Sequence, residues 1–234
     1  MVNQLFALDY FAGGVPAGPM LSLHLDELKS LAQQQGKTPH GRNLILELAF
    51  IGLFSYFEAF CKDHFASIIN IAPVLAQRLK AHGHNTNIDA ADILSIGEHI
   101  SARVGFLLAE KYDFGTPRKI NALYHALLQV SPFSTNEAKK FDKLLADRNL
   151  IVHHGGVYTM KYTQQWLELM DKKIFLDSVV IDPTSFSKAL SLIEEIGKKT
   201  VQSTHRRLEE LVEQLHEALD PEWKRALRHL QYWQ

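Results

Sequence analysis

Arg148-Asn149-Leu150-Ile151-Val152-His153, followed by His154-Gly155-Gly156, sets a permanent cation, an amide and a titratable imidazole close together along the chain. Arg presents planar, always-charged donors to phosphate oxygens. His accepts or gives a proton near neutrality. The pairing suits chemistry on a phosphodiester. On a helix, Asn149 and His153 lie four apart and stack on one face. Arg148 and His153 lie five apart, roughly 140° around the axis and about 7.5 Å along it. A long Arg side chain can curl back to the same cleft, while Leu150, Ile151 and Val152 can pack inward. One copy of the motif does not easily supply both an acid and a base. A two-fold pair of subunits, presenting the same patch twice, repairs that.

Spacing alone is a weak signal. Arg78 with His84 and Arg118 with His125 repeat it; the first reads as a solvated helix end beside Gly83 and the second as a surface pair on one helix. A helix C-terminus decorated with cations would carry the same letters as Arg148 to His154 with no chemistry at all. Glu58 is open to two readings, a partnered structural acid or a direct member of the site. His154 is either a second proton carrier or a surface residue ending its helix. Cys61, His64, His82 and His84 form no compact array of metal ligands, so neither a metal nor another cofactor is expected.

The elements that must position these groups read almost entirely as helix. Leu21 to Gln35 carries leucines at one-face spacing before Gly36. Asn43 to Ala72 is apolar nearly all round, the pattern of a buried central helix, and Pro73 ends it. A short helix to Ala81, a turn at His82-Gly83-His84-Asn85, and a helix from Asp89 to Glu110 follow. Thr116-Pro117 opens a helix through Val130. Ser134 or Thr135 caps one that reaches His154, with Gly155-Gly156 as its stop. Thr163 to Met170 could be helical, and Lys173 to Leu176 with Val179 to Ile181 flank Asp177-Ser178 like a small β-hairpin. Asp182-Pro183 starts a helix running to Leu219, with Gly197 as a bend, and Asp220-Pro221 opens a last short one. The fold expected is all-α, one helical domain over residues 21–234 after an arm at 1–20, with at most one hairpin.

Composition bounds the partners. The chain has 234 residues, 46% hydrophobic and 22% charged, values typical of globular proteins. Lys+Arg 25 against Asp+Glu 26 gives no global grip on nucleic acid, so such binding must use a local patch. The one cysteine, Cys61, permits no internal disulfide and fits a reducing cytoplasm. The first twenty residues lack the basic and apolar regions of a signal peptide. Leu48 to Phe57 is about half the length a membrane helix needs. A soluble, cytoplasmic protein with no membrane partner is expected.

The stretch Arg148 to His153, with the Gly pair after it, resembles the signature of the HEPN family: an Arg, usually followed by Asn, Asp or His, then a His after four to six residues. Phe54-Ser55-Tyr56-Phe57-Glu58-Ala59-Phe60-Cys61-Lys62-Asp63 is similar to the early acidic, aromatic-rich helix of stand-alone HEPN proteins, including RiboL-PSP-HEPN-like ones. The resemblance covers roughly Gly41 to Tyr162 and extends more loosely to the long C-terminal helix. It implies an α-helical bundle that homodimerises around two Arg–His motifs. It also implies a metal-independent endoribonuclease acting on single-stranded RNA, as in toxin–antitoxin, CRISPR-linked and anti-phage systems, with an antitoxin protein as a partner. Members that have lost activity imply the alternative, a dimer that binds RNA, nucleotide or a partner protein. One departure stands out: toxins silenced on a Tyr two residues past the His carry His-x-Tyr, whereas here Gly155 stands in that place and the nearest Tyr is Tyr158.

Overall fold

The computed structural model describes residues 5–34, 42–166, 177–214 and 221–233. Among them the protein is all-α, and the only β pairing is an isolated antiparallel bridge between Val157 and Ser178. The helices are α1 (Ala17–Gln33), α2 (Leu44–Ile71), α3 (Ala76–Ala81), α4 (Ala90–Ile96), α5 (Val104–Ala109), α6 (Pro117–Leu128), α7 (Thr135–His154), α8 (Met160–Trp166), α9 (Pro183–Gln214) and α10 (Pro221–Leu230). They fall into two compact units. The first holds residues 1–23, 57–133 and 195–234, and the second residues 24–56 and 134–194.

The first unit is built on the C-terminal half of α2. Phe57, Phe65, Ile68, Ile69 and Ile71 are almost wholly buried, and each such side chain stabilises the fold by roughly 1.5–3 kcal/mol. Phe65 meets the edges or faces of Tyr112, Phe114 and Tyr124 at 5.8, 5.4 and 5.6 Å. The buried Tyr124 hydroxyl donates to the Cys61 carbonyl at 2.9 Å, as a buried phenol must to avoid an unpaired donor. Cys61 is free and buried, and burial pushes its thiol well up, with the nearby Glu58 charge adding to it. That leaves it inert. Tyr10 and Phe11, within the stretch expected to be an N-terminal arm, are buried here, and short 3-10 turns cover Ala7–Tyr10 and Ala12–Gly14.

Two boundaries differ from the sequence reading. The helix expected from Asp89 to Glu110 is three pieces: α4, a 3-10 stretch Gly97–Ala102, and α5. Gly97 has φ 72°, which ends α4, and Arg103 departs from helical geometry before α5. Periodicity carried through both breaks because neither interrupts the apolar spacing. At Gly197, α9 runs on unbroken, and the absent side chain there admits the Trp233 ring. Of the hairpin, Lys173 to Leu176 lies outside the described residues, while Ser178 pairs with Val157.

The first unit also buries two histidines. His64 Nε2 lies 2.8 Å from Thr204 Oγ1, and that hydroxyl donates its own hydrogen to the Thr200 carbonyl at 2.7 Å. The His64 Nε2–H must therefore be the donor to Thr204. Burial, reinforced by the neighbouring His205, lowers His64 from 6.5 to about 3; burial lowers His205 as well, against the opposing pull of Glu209. Above pH 6.5 both folded and unfolded states hold a neutral His64, so it contributes no pH dependence. Below it, the unfolded chain takes a proton that the folded chain refuses, and stability falls until about pH 3. The expected slope is up to about 1.4 kcal/mol per pH unit. Urea titrations at a series of pH values should show it, and His64→Gln should remove roughly one proton from the slope between about pH 6.5 and 4.5.

The second unit packs the N-terminal half of α2 against α7. Leu46, Ala49, Phe50 and Leu53 are buried. Phe54 stands edge-on to Phe50 and to Phe141 of α7, each at 5.3 Å, contacts worth about 0.5–1.5 kcal/mol beyond area. As a whole, α2 is long and apolar enough to cross a membrane, yet half of its most apolar window is buried in the fold.

Candidate functional site

The motif sits at the end of α7, a helix defined at both termini. Ser134 accepts from the Glu137 amide at 3.3 Å, and Glu137 accepts from the Ser134 amide at 2.7 Å, the reciprocal capping box. At the other end Gly155 adopts the left-handed conformation (φ 60°, ψ 23°), and the Gly156 amide returns to the Leu150 carbonyl at 2.9 Å. That closure is the Schellman stop. A β-carbon at Gly155 would meet strain from backbone conformation alone.

Within this frame Leu150 is buried with Tyr162 and Trp166 in a small core, with Ala146 and Tyr158 against it. Asn149, His153 and His154 are exposed, and Arg148 is half-buried. Arg148 Nη1 donates to Asn149 Oδ1 at 3.1 Å, while its Nε is buried without a partner. So the structure joins Arg148 to Asn149. No hydrogen bond among the described residues joins either to His153 or His154, whose rings are open to solvent. Glu58 is exposed on α2 and belongs to the first unit. The rival pairs show no built site: Arg118 and His125 are both exposed on α6, and Arg78 reaches the Leu127 carbonyl at 3.5 Å. Among the described residues no three His, Cys, Asp or Glu side chains are grouped to hold a metal ion.

Two anchors around the motif stand outside the residues that the sequence singled out. In one, Arg42 reaches the motif's turn: Nε and Nη2 donate to the Glu47 carboxylate at 2.8 and 2.6 Å, and Nη1 donates to the Gly155 carbonyl at 2.9 Å. Glu47 is buried, and its hydrogen bonds hold Arg42 above the usual guanidinium value. In the other, Lys143 donates to both oxygens of Asp147 at 2.8 and 2.9 Å and to the Tyr162 hydroxyl at 2.7 Å. The Tyr162 hydroxyl in turn donates to Asp147. Burial, then the Asp147 carboxylate, push Tyr162 far above the ordinary phenol value, and Tyr158 rises for the same reasons plus Asp177. Both phenols therefore hold their protons more firmly than an ordinary tyrosine, and the Tyr162 hydroxyl serves as a hydrogen-bonding link between Lys143 and Asp147. Lys143 and Asp147 stand four apart on one helix, a spacing that could have flagged the pair. Arg42 and Gly155 are 113 positions apart, which no local pattern reports.

The chain after the motif folds back onto it. Val157 bridges Ser178, the Tyr158 amide donates to the Asp177 carbonyl at 3.0 Å, and the Val179 amide donates to the Gly156 carbonyl at 2.9 Å. Tyr158 stacks on Tyr162 with centroids 5.1 Å apart. Val152, Val157, Met160 and Val180 remain exposed around this turn. The end of α7 thus presents a guanidinium–amide pair, two open imidazoles and an apolar fringe on a braced turn. No protein-family model, curated protein or solved structure matches the chain.

Proposed function

We propose that the protein is a metal-independent endoribonuclease of the HEPN type, working as a homodimer in the cytoplasm, in toxin–antitoxin or anti-phage defence, with an antitoxin as a further partner. The observation that carries this reading is the end of α7. A guanidinium coupled to an amide is held on a capped helix one and a half turns before an exposed imidazole. On single-stranded RNA the 2′-hydroxyl would attack the adjacent phosphorus while the bond to the 5′-oxygen breaks. His153 would take the hydroxyl proton or protonate the leaving oxygen. Arg148 would neutralise the pentacoordinate phosphate, and Asn149 would orient either group. The products are a 2′,3′-cyclic phosphate and a 5′-hydroxyl. The second acid or base comes from the partner subunit, and the exposed Val152, Val157, Met160 and Val180 supply an apolar fringe for that pairing.

A second reading, a HEPN-like dimer that binds RNA, nucleotide or a protein without cutting, draws support from Arg148 being turned onto Asn149 and from a formal net charge of −1. Labelled RNA incubated with the purified protein in EDTA separates the two. Cleavage that survives chelation and leaves the cyclic phosphate supports the enzyme. Retained affinity with no cleavage of any RNA supports the binder, and a monomer by light scattering removes the shared site from both.

A further inference from the structure

One side chain reaches the Gly155–Gly156 turn, directly after the two imidazoles, from 113 positions away. Arg42 sits just before α2, half in solvent. Its guanidinium commits Nε and Nη2 to the two oxygens of Glu47, leaving Nη1 for the Gly155 carbonyl at 2.9 Å. Glu47 is 2% exposed in the first turn of α2, so the carboxylate is a fixed point. The carbonyl it secures, through Arg42, belongs to the left-handed residue that ends α7. A side-chain carbon at Gly156 would lie 3.5 Å from Arg42 Nη2, so the guanidinium lies close against the turn. Only a planar fork meets a carboxylate with two nitrogens and a carbonyl with the third; an ammonium is a single point.

We infer that Arg42, locked by Glu47, is a positioning residue that fixes the Gly155–Gly156 turn and with it the bearing of His153 and His154. The inference rests on the cleavage reading for its effect on rate, but the clamp itself can be read without RNA. On this view Arg42 acts through the turn and not as a phosphate contact, each of its three nitrogens already donating to Glu47 or Gly155.

The test compares the full-length protein with Arg42→Lys and, as a buried-side counterpart, Glu47→Gln. Amide hydrogen exchange at Gly156 and Val157, whose amides close the cap, should quicken roughly tenfold while the interior of α7 is unchanged. On a labelled single-stranded RNA, kcat should fall roughly 10–100-fold with KM held, since misplacement of a reacting group costs rate. Unaltered exchange in both variants overturns the clamp. Faster exchange with wild-type kcat overturns the positioning role. A raised KM with a shallower salt dependence and normal kcat makes Arg42 a phosphate ligand and overturns the inference as well. If the wild-type protein cuts no RNA, the cleavage reading falls, and the clamp stands or falls on exchange alone.

Discussion

Alanine at His153 should lower kcat for RNA cleavage by about 10²–10⁴-fold, the usual worth of a positioned general acid or base. KM should hardly move, since an exposed imidazole adds little to ground-state binding. Arg148→Ala should cost a comparable factor, because a preorganised cation aimed at developing phosphate charge is worth about 10²–10³-fold. The two losses should not multiply, as groups that act on one transition state are strongly non-additive. Arg148→Lys should rescue little, for it loses the planar fork that now also engages Asn149. Single-turnover measurements in EDTA are the check. A His153→Ala enzyme that cuts at the wild-type rate would end the proposed role, and an equal loss in His154→Ala would make that neighbour the second proton carrier.

Asp147→Ala should destabilise the protein by about 2–4 kcal/mol, somewhat below the 3–5 kcal/mol typical of a fully buried broken pair. The reduction follows from Lys143, whose side chain is 23% exposed and can partly rehydrate. The cost arises because Lys143 loses both carboxylate oxygens and the Tyr162 hydroxyl loses its acceptor. Tyr162→Phe removes only one arm and should cost about 1 kcal/mol. Urea denaturation of the three proteins measures this. Asp147→Ala with wild-type stability would show that the network carries none of the packing between α7 and α8.

Much of the helical plan was legible locally. The apolar run of α2, the Ser134–Glu137 box and the Gly155 stop are short-range grammar, and the structure reproduces α2 and α7 to within about a residue at the ends. Asp182 caps α9 as expected, accepting from the Ser185 amide at 2.7 Å. The break at Gly97 leaves no trace in the sequence pattern because an apolar period tolerates a change of backbone geometry that leaves side-chain spacing intact.

The site divides along the same line. Residue order alone put Arg148, Asn149 and His153 on one helix end, because a helix converts sequence spacing into angle and rise with no help from the rest of the chain. Which of them face solvent, that Arg148 turns to Asn149, that Arg42 and Glu47 brace the turn, and that Lys143, Asp147 and Tyr162 tie α7 to α8 were decided only by folding. Those contacts join groups as far apart as 113 positions. Their geometry is set by which faces are buried together, a property of the packed unit that no local window contains.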